Sequence, residues 1–116
     1  MSNATAATKS FAPCLRVQFS KPVTAGNTFL REIMVGAPDA DDIAAVGSLD
    51  LGRTTRNPDG SLTREFDRAL FMRWLHRLTG IETETLEQVP IAELPKLVMA
   101  VARQLVWAAQ NVQTKD

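Results

Sequence analysis

The apolar residues of this chain change their spacing partway along the sequence, from every second residue to every third or fourth. In the segment 14–20, Leu15, Val17 and Phe19 alternate with polar side chains, which is the pattern of a strand that buries one face. From about residue 64 onward, apolar side chains recur at helical spacing instead. We therefore expect an α+β fold, with an N-terminal β-hairpin packed on a small C-terminal helical bundle.

The turn of this hairpin is predicted at Gly26-Asn27, because both residues accept a positive φ. Lys21-Pro22 is expected to end the first strand. The second strand is predicted over residues 29–35, with Ile33 and Val35 on one face.

A short helix and then an irregular loop are predicted in the middle of the chain. Pro38 suits an early helical position, and the acidic residues of segment 39–42 suit a first helical turn, so we expect a helix that ends near Val46. The segment 47–62 is predicted to be a loop, because its glycines and the run Asn57-Pro58-Asp59-Gly60 break any periodic pattern.

Two longer helices are predicted in the C-terminal half. Thr63 is expected to cap a helix over Arg64–Thr79 that Gly80 terminates. The arc of this helix that faces the core consists of Leu70, Phe71, Trp74, Leu75 and Leu78. A final helix is predicted from about Ile91 to Gln110, with Pro95 tolerated in its first turn. Its core stripe consists of Leu94, Leu97, Val98, Val101, Leu105 and Ala108.

The length of 116 residues suits one domain with a single core. Because 45% of the residues are apolar and 22% are charged, the composition is that of a folded chain and not of a disordered one. We expect a flexible N-terminal arm over residues 1–13, a single domain over 14–110 and a polar tail over 111–116.

The residues that carry enzyme chemistry are sparse. Cys14 is the only cysteine and His76 the only histidine, so one chain can form neither a disulfide nor a conventional zinc site. His76 falls on the polar side of its predicted helix, and no glycine-rich phosphate motif is present. We therefore expect no catalytic residue, no cofactor and no metal, and we predict that the protein is not an enzyme.

The charges give no general attraction to nucleic acid or to anionic membranes, because 13 basic residues balance 13 acidic ones. The longest apolar stretch, 97–102, is far shorter than the ~20 residues of a membrane span. The N-terminus lacks the continuous apolar segment of a secretory signal. We expect a cytoplasmic protein with neither a membrane nor a nucleic acid as partner.

The arginines of the first long helix leave one alternative open. Arg64, Arg68, Arg73 and Arg77 form two pairs spaced four residues apart. They flank both edges of the apolar arc, which favours side chains that cover the edges of the core. A small DNA-binding regulator that uses this helix is the less favoured interpretation.

A group of residues on the final helix does not fit its core stripe. On a helical projection, Trp107 lies nearly opposite Val101, and Met99 and Val106 lie on a flank. Either the hairpin or the N-terminal arm covers Trp107, or these residues form a contact patch for a partner protein or a second copy of the chain. In the second interpretation Met99, Arg103, Val106 and Trp107 bind the partner, with Arg103 stacked on the indole one turn away.

The order of several short motifs resembles a family of phage proteins. The motifs are Phe19-Ser20-Lys21-Pro22-Val23, a Gly26 turn, Ala37-Pro38-Asp39-Ala40-Asp41-Asp42-Ile43, Leu78-Thr79-Gly80-Ile81 and Val89-Pro90-Ile91-Ala92-Glu93-Leu94. In this order and spacing, the region from about Leu15 to Leu105 is similar to the tail assembly chaperones of Mu-like prophages and related myophages.

The resemblance implies a protein that binds the long, helical tape measure protein and keeps it soluble until the tail tube assembles around it. Such a chaperone acts in the cytoplasm of the bacterial host and is not retained in the mature virion. A second copy of the chain, in a homo-oligomer, is the other candidate partner. A small structural tail protein that stays in the virion is the main alternative, and the DNA-binding regulator is the less favoured one.

Overall fold

The computed structural model describes residues 13–112, which form two β-hairpins and a set of helices. The strands are β1 (Leu15–Ala25), β2 (Thr28–Val35), β3 (Gly52–Arg56) and β4 (Leu62–Phe66), and the helices are α1 (Ala40–Val46), α2 (Arg68–Thr79), α3 (Thr83–Leu86) and α4 (Leu94–Asn111), with a 3-10 turn at Ile91–Glu93 before α4. An N-terminal hairpin followed by a helical C-terminal region confirms the expected α+β fold. The assigned arm and tail lie almost wholly outside the described residues.

The first hairpin, β1–β2, has the predicted turn but a longer first strand. Ala25 pairs with Thr28 across the turn, and Gly26 has a φ of 60°, which favours glycine. The prediction that Lys21-Pro22 ends the first strand is wrong, because β1 continues to Ala25. The pairing shifts between Gln18 and Val23, and this irregularity accommodates a proline, which has no N–H to donate.

The core lies between this hairpin and the two long helices. Val17 of β1 and Ile33 of β2 are buried on the hairpin face that packs against α2 and α4. Trp74 at the centre of α2 has no exposed surface, and its Nε1 donates a 2.8 Å hydrogen bond to the Ser48 carbonyl. The predicted apolar arc of α2 and the predicted core stripe of α4 are confirmed, with Leu70, Leu94 and Val98 partly buried at their edges.

Helix α1 ends at Val46 as predicted, but the prediction that Pro38 takes an early helical position is wrong, because Pro38 precedes the N-cap. Asp39 is its N-cap, and Asp39 and Asp42 each accept a 2.9 Å hydrogen bond from the other's backbone N–H. The hydrogen bond from the Asp42 backbone holds the pKa of Asp39 below its ordinary value. Gly47 ends the helix in the left-handed region with a φ of 93°. Arg77 Nε donates to Asp42 at 2.7 Å and so joins α2 to α1.

The segment predicted as a loop forms a second hairpin. Strand β3 pairs antiparallel with β4, from Gly52 opposite Phe66 to Arg56 opposite Leu62. The predicted loop over 47–62 is therefore wrong in this part. The four residues Asn57-Pro58-Asp59-Gly60 are its turn, and the Asn57 N–H donates to the Ser61 carbonyl at 2.8 Å.

The second hairpin also moves the start of the first long helix. Helix α2 begins at Arg68, not at Arg64, and its N-cap is Asp67, not Thr63. The Asp67 side chain accepts a 3.1 Å hydrogen bond from the Leu70 N–H. Residues 62–66 pair with β3, and this hairpin pairing outweighs the weak preference of a short segment for helix.

Two buried polar side chains fix α4 against β1 and β2. Gln104 is almost fully buried, and its Nε2 donates to the carbonyls of Val35 at 2.8 Å and Pro13 at 3.0 Å. Glu93, only 7% exposed, accepts from the Ser20 N–H at 3.3 Å and from Lys96 Nζ at 3.0 Å. The hydrogen bond from Lys96 is the main reason that the pKa of Glu93 lies below its ordinary value.

Replacement of Gln104 should destabilise the fold more than replacement of an exposed glutamine on the same helix. Gln104→Leu leaves the buried Val35 carbonyl without its side-chain donor, at a cost of about 1–3 kcal/mol. Gln110→Leu is the matched control, because Gln110 is exposed. Urea unfolding should give a lower midpoint for Gln104→Leu alone, and equal midpoints for the two variants would contradict the role assigned to Gln104.

Glu93 should make part of the stability depend on pH. Its folded pKa lies below the ordinary value of 4.5, so the ionised form stabilises the fold above that pH and the contribution is lost as the pH falls through the folded pKa. Between about pH 6 and pH 3 the wild type should lose more stability than Glu93→Gln, with the other carboxyl groups common to both proteins. If urea unfolding shows the same loss of unfolding free energy for the wild type and for Glu93→Gln, Glu93 makes no such contribution.

Candidate partner-binding surface

Helix α4 presents an apolar face on the side opposite the core. Met99 is 65% exposed and Val106 is 58% exposed. Ala102 and Ala109 belong to the same face, because the spacings of three, four and three residues keep all four side chains within one arc of a helix. We call Met99, Ala102, Val106 and Ala109 the outer stripe.

An open groove runs beside the outer stripe, between α4 and the second hairpin. Leu49 and Leu51, which precede β3, and Phe66 of β4 line one wall, and Val98, Ala102, Leu105, Val106 and Ala109 of α4 line the other. The volume of this space, which we call the hairpin groove, is about 480 Å³. The α4 wall is wholly apolar, and the leucine and phenylalanine side chains of the other wall are accompanied by Asp50, Arg64 and Glu65. The groove therefore suits an apolar ligand surface with charges along one edge.

The base of the second hairpin is held by contacts with the start of α2. The Phe66 and Phe71 rings pack with their centroids 5.6 Å apart. The Asp67 N–H donates to the Leu51 carbonyl at 2.8 Å. Because Phe71 is buried in the core, these contacts place the Phe66 wall of the groove relative to α4.

An ion pair closes the rim of the groove. Arg64 donates to the Asp50 carboxylate and, at 3.2 Å, to the Thr54 hydroxyl. The Gly52 N–H donates to Asp50 at 2.9 Å, and this bond, followed by the one from Arg64, holds the pKa of Asp50 below its ordinary value. Gly52 leaves room for the guanidinium, because a Cβ there would lie 2.5 Å from its central carbon.

The second flank of the outer stripe carries Arg103 and Trp107. Trp107 is half-buried and lines a hollow of about 390 Å³ together with Ala102, Arg103, Val106 and Gln110. The hollow shares Ala102 and Val106 with the hairpin groove, so the two concavities lie on either side of one helical ridge. No hairpin residue lines this hollow, and the N-terminal arm, as the other predicted cover, lies outside the described residues.

The predicted site residues thus lie together, but one predicted contact does not form. Met99, Arg103 and Val106 are exposed, and Trp107 is partly accessible. The expected stacking of Arg103 on Trp107 does not form. Among residues 13–112, the cation–π contact that the structure contains is that of Arg31 with the Phe29 ring, at 5.6 Å. The spacing of four residues places Arg103 and Trp107 one helical turn apart, but it does not determine the side-chain rotamer of Arg103.

Sequence reasoning missed the wall that the second hairpin supplies. Leu49, Leu51 and Phe66 were assigned to a loop or to the start of a helix. The signal that could have found them is the turn sequence Asn57-Pro58-Asp59-Gly60, which is typical of a reversal between two strands.

The arginines that suggested a DNA-binding helix are distributed over several internal contacts. Arg64 lies in β4 and pairs with Asp50. Arg73 donates to the Ala45 carbonyl at 3.3 Å, and Arg77 pairs with Asp42 at 2.7 Å. Two of the four guanidinium groups therefore already pair with acidic side chains of the same chain.

The histidine, the cysteine and the acidic side chains of the described residues do not form a common site. His76 Nδ1 donates to the Ile81 carbonyl at 2.7 Å, and Cys14 is an exposed thiol. Within residues 13–112, no three His, Cys, Asp or Glu side chains are placed to share a metal ion. In the same part of the chain, every helix is too short or too polar to cross a membrane.

Comparisons with family models, with curated proteins and with solved structures gave no match to this chain. Among the described residues, the surface features available for binding a partner are the outer stripe, the hairpin groove and the hollow beside Trp107.

The two tryptophans should differ in their contribution to stability. Trp74→Ala removes a fully buried ring, which costs about 3–5 kcal/mol. Trp107→Ala removes a half-buried ring beside an open hollow and should cost about 1–2 kcal/mol. Thermal and urea unfolding of the two variants measure this difference, and a loss at Trp107 as large as that at Trp74 would place its indole in the core.

Proposed function

We propose that this protein is a phage tail assembly chaperone that binds the tape measure protein and keeps it soluble until the tail tube forms. The observation that carries the proposal is the outer stripe of α4, whose largest side chains, Met99 and Val106, are exposed beside an apolar groove. An exposed apolar face of this kind marks a surface for a protein partner. The resemblance of the motif order to tail assembly chaperones suggests the tape measure protein as that partner.

The shape of the surface suits a temporary complex. Both concavities beside α4 are open, and alanine, valine, leucine and single aromatic side chains line them together with charged and polar side chains at their edges. Such a surface offers many moderate contacts and no deep pocket for one dominant anchor. A chaperone needs this property, because the tail tube must displace it.

The proposed role requires no catalytic step. The protein acts in the cytoplasm of the bacterial host, where the tape measure protein is synthesised, and it leaves before the virion is complete. A helical partner segment that lies along α4 is shielded from aggregation, because its apolar face is covered by another protein surface.

Co-expression with the cognate tape measure protein should raise the soluble yield of that protein and allow the two to be purified together. Val106→Asp should reduce the soluble yield several-fold, because it places a charge at the centre of the outer stripe. Ile91→Asp is the matched control, since Ile91 is 80% exposed and does not line the groove. Quantification of soluble and pelleted tape measure protein gives the measurement.

Two outcomes would contradict the proposal. A tape measure protein that is equally soluble without this protein needs no such chaperone. Detection of this protein at constant stoichiometry in purified virions would instead identify a structural tail component.

A further inference from the structure

We infer that the outer stripe binds an α-helix of another protein whose apolar heptad stripe is flanked by acidic side chains. The inference rests on the proposed function and deepens it, because it gives the chemical class of the tape measure segment that this protein would recognise. It follows from the spacing of the stripe, the walls beside it and the charges on α4.

The spacing of the outer stripe matches a partner helix. Met99, Ala102, Val106 and Ala109 follow the alternation of three and four residues that defines a heptad seam. The seam extends over about 15 Å, or three turns of helix. Ala102 and Ala109 are small and allow a second helix to approach closely, while Met99 and Val106 project between its side chains.

The walls beside the stripe limit where this helix can lie. Phe66 and Leu51 of the second hairpin stand on one side, across the hairpin groove. Arg103 and Trp107 stand on the other side. A helix placed along Met99 and Val106 therefore contacts apolar side chains and internally paired charges on the hairpin side, and a cation together with an indole on the other.

The charges of α4 select the flanks of the partner. Lys96 and Arg103 are the charged residues of this helix, which has no acidic residue. Lys96 pairs with Glu93 at 3.0 Å, whereas Arg103 is exposed and has no salt bridge within residues 13–112. On the hairpin side, Asp50 pairs with Arg64, and Glu65 pairs with Arg53 at 3.7 Å. Arg103 is thus the charge of this surface that a partner can complement, and the complement is a carboxylate.

The same charge disfavours a second copy of this chain on the stripe. The middle of the seam lies close to Arg103, so an antiparallel pair of α4 helices centred on it would bring the two Arg103 side chains together. A parallel pair in register would instead place each Arg103 against the flank of the partner helix that carries Val98 and Leu105, where no carboxylate meets it. Neither arrangement supplies an acidic residue from α4, so a second copy leaves Arg103 without a complementary charge, and in the antiparallel pair the like charges also repel each other.

Two synthetic peptides test the inference on the full chain. Each has about three heptads with leucine at the a and d positions, and the flanking e and g positions are glutamate in one peptide and lysine in the other. Both carry fluorescein and are used at nanomolar concentration, where they are monomers. Fluorescence anisotropy should show that the glutamate peptide binds about fivefold more tightly than the lysine peptide.

Charge reversal at Arg103 should remove this preference or invert it. Arg68→Glu is the matched control, because Arg68 is exposed in the first turn of α2 and lines neither concavity. The control should bind both peptides as the wild type does. Val106→Asp should abolish binding of both peptides, with a thermal midpoint close to that of the wild type because Val106 is exposed.

Four results would overturn the inference, and the first three come from the peptide and light-scattering measurements. Equal affinities for the two peptides would remove the charge selection, and failure of both to bind would remove the helix site. A wild-type dimer in light scattering that Val106→Asp converts to a monomer would assign the stripe to a second copy.

If the peptides behave as expected and the tape measure protein is not solubilised, the helix site stands and the chaperone proposal fails. If the tape measure protein is solubilised equally by Val106→Asp, the chaperone proposal stands and the helix site fails.

Discussion

The burial of one face of α4 is the constraint on which the other features of the fold depend. Leu97, Val101 and Leu105 of this helix pack against the first hairpin and α2 in a single core. A helix can bury only part of its circumference against two neighbours, and the opposite part is left for solvent or a partner. In α4 that opposite part contains Met99 and Val106, both exposed, so the packing of the core also creates the candidate surface.

Polar contacts determine where α4 lies more narrowly than apolar packing could. The hydrogen bonds of Gln104 join it to the end of β2 and to Pro13, and those of Glu93 join its start to β1. Apolar contact is nearly indifferent to small sliding movements, whereas a buried amide must meet its acceptors at the correct distance. The direction in which the outer stripe faces is therefore fixed by Gln104 and Glu93 as well as by the core.

The second hairpin buries less of its surface than the other elements of the fold. Its strands pair only with each other, and Arg53, Thr55, Glu65 and Phe66 are all exposed. A two-stranded hairpin without a buried face is marginal by itself. The contact of Phe66 with Phe71 and the ion pair of Asp50 with Arg64 hold its base. An apolar ligand in the hairpin groove would give this hairpin the buried face that it lacks, so binding would stabilise it.

Local sequence accounts for the first hairpin turn, the capping of α1, the end of α2 at Gly80 and the core stripe of α4. Each depends on residues close together in the chain, whose backbone preferences or helical spacing act locally. It also placed Met99, Arg103 and Val106 on the outer side of α4, because the angle between residues of one helix is fixed. The continuation of β1 past Pro22, the pairing of β3 with β4 and the start of α2 at Arg68 depend on pairing between neighbouring strands, which the residue pattern of either strand alone does not show. Only the tertiary structure could place Phe66 and Leu51 beside α4 and bury Gln104 under Val35, since the free energy of a long-range pairing is not encoded in either segment alone.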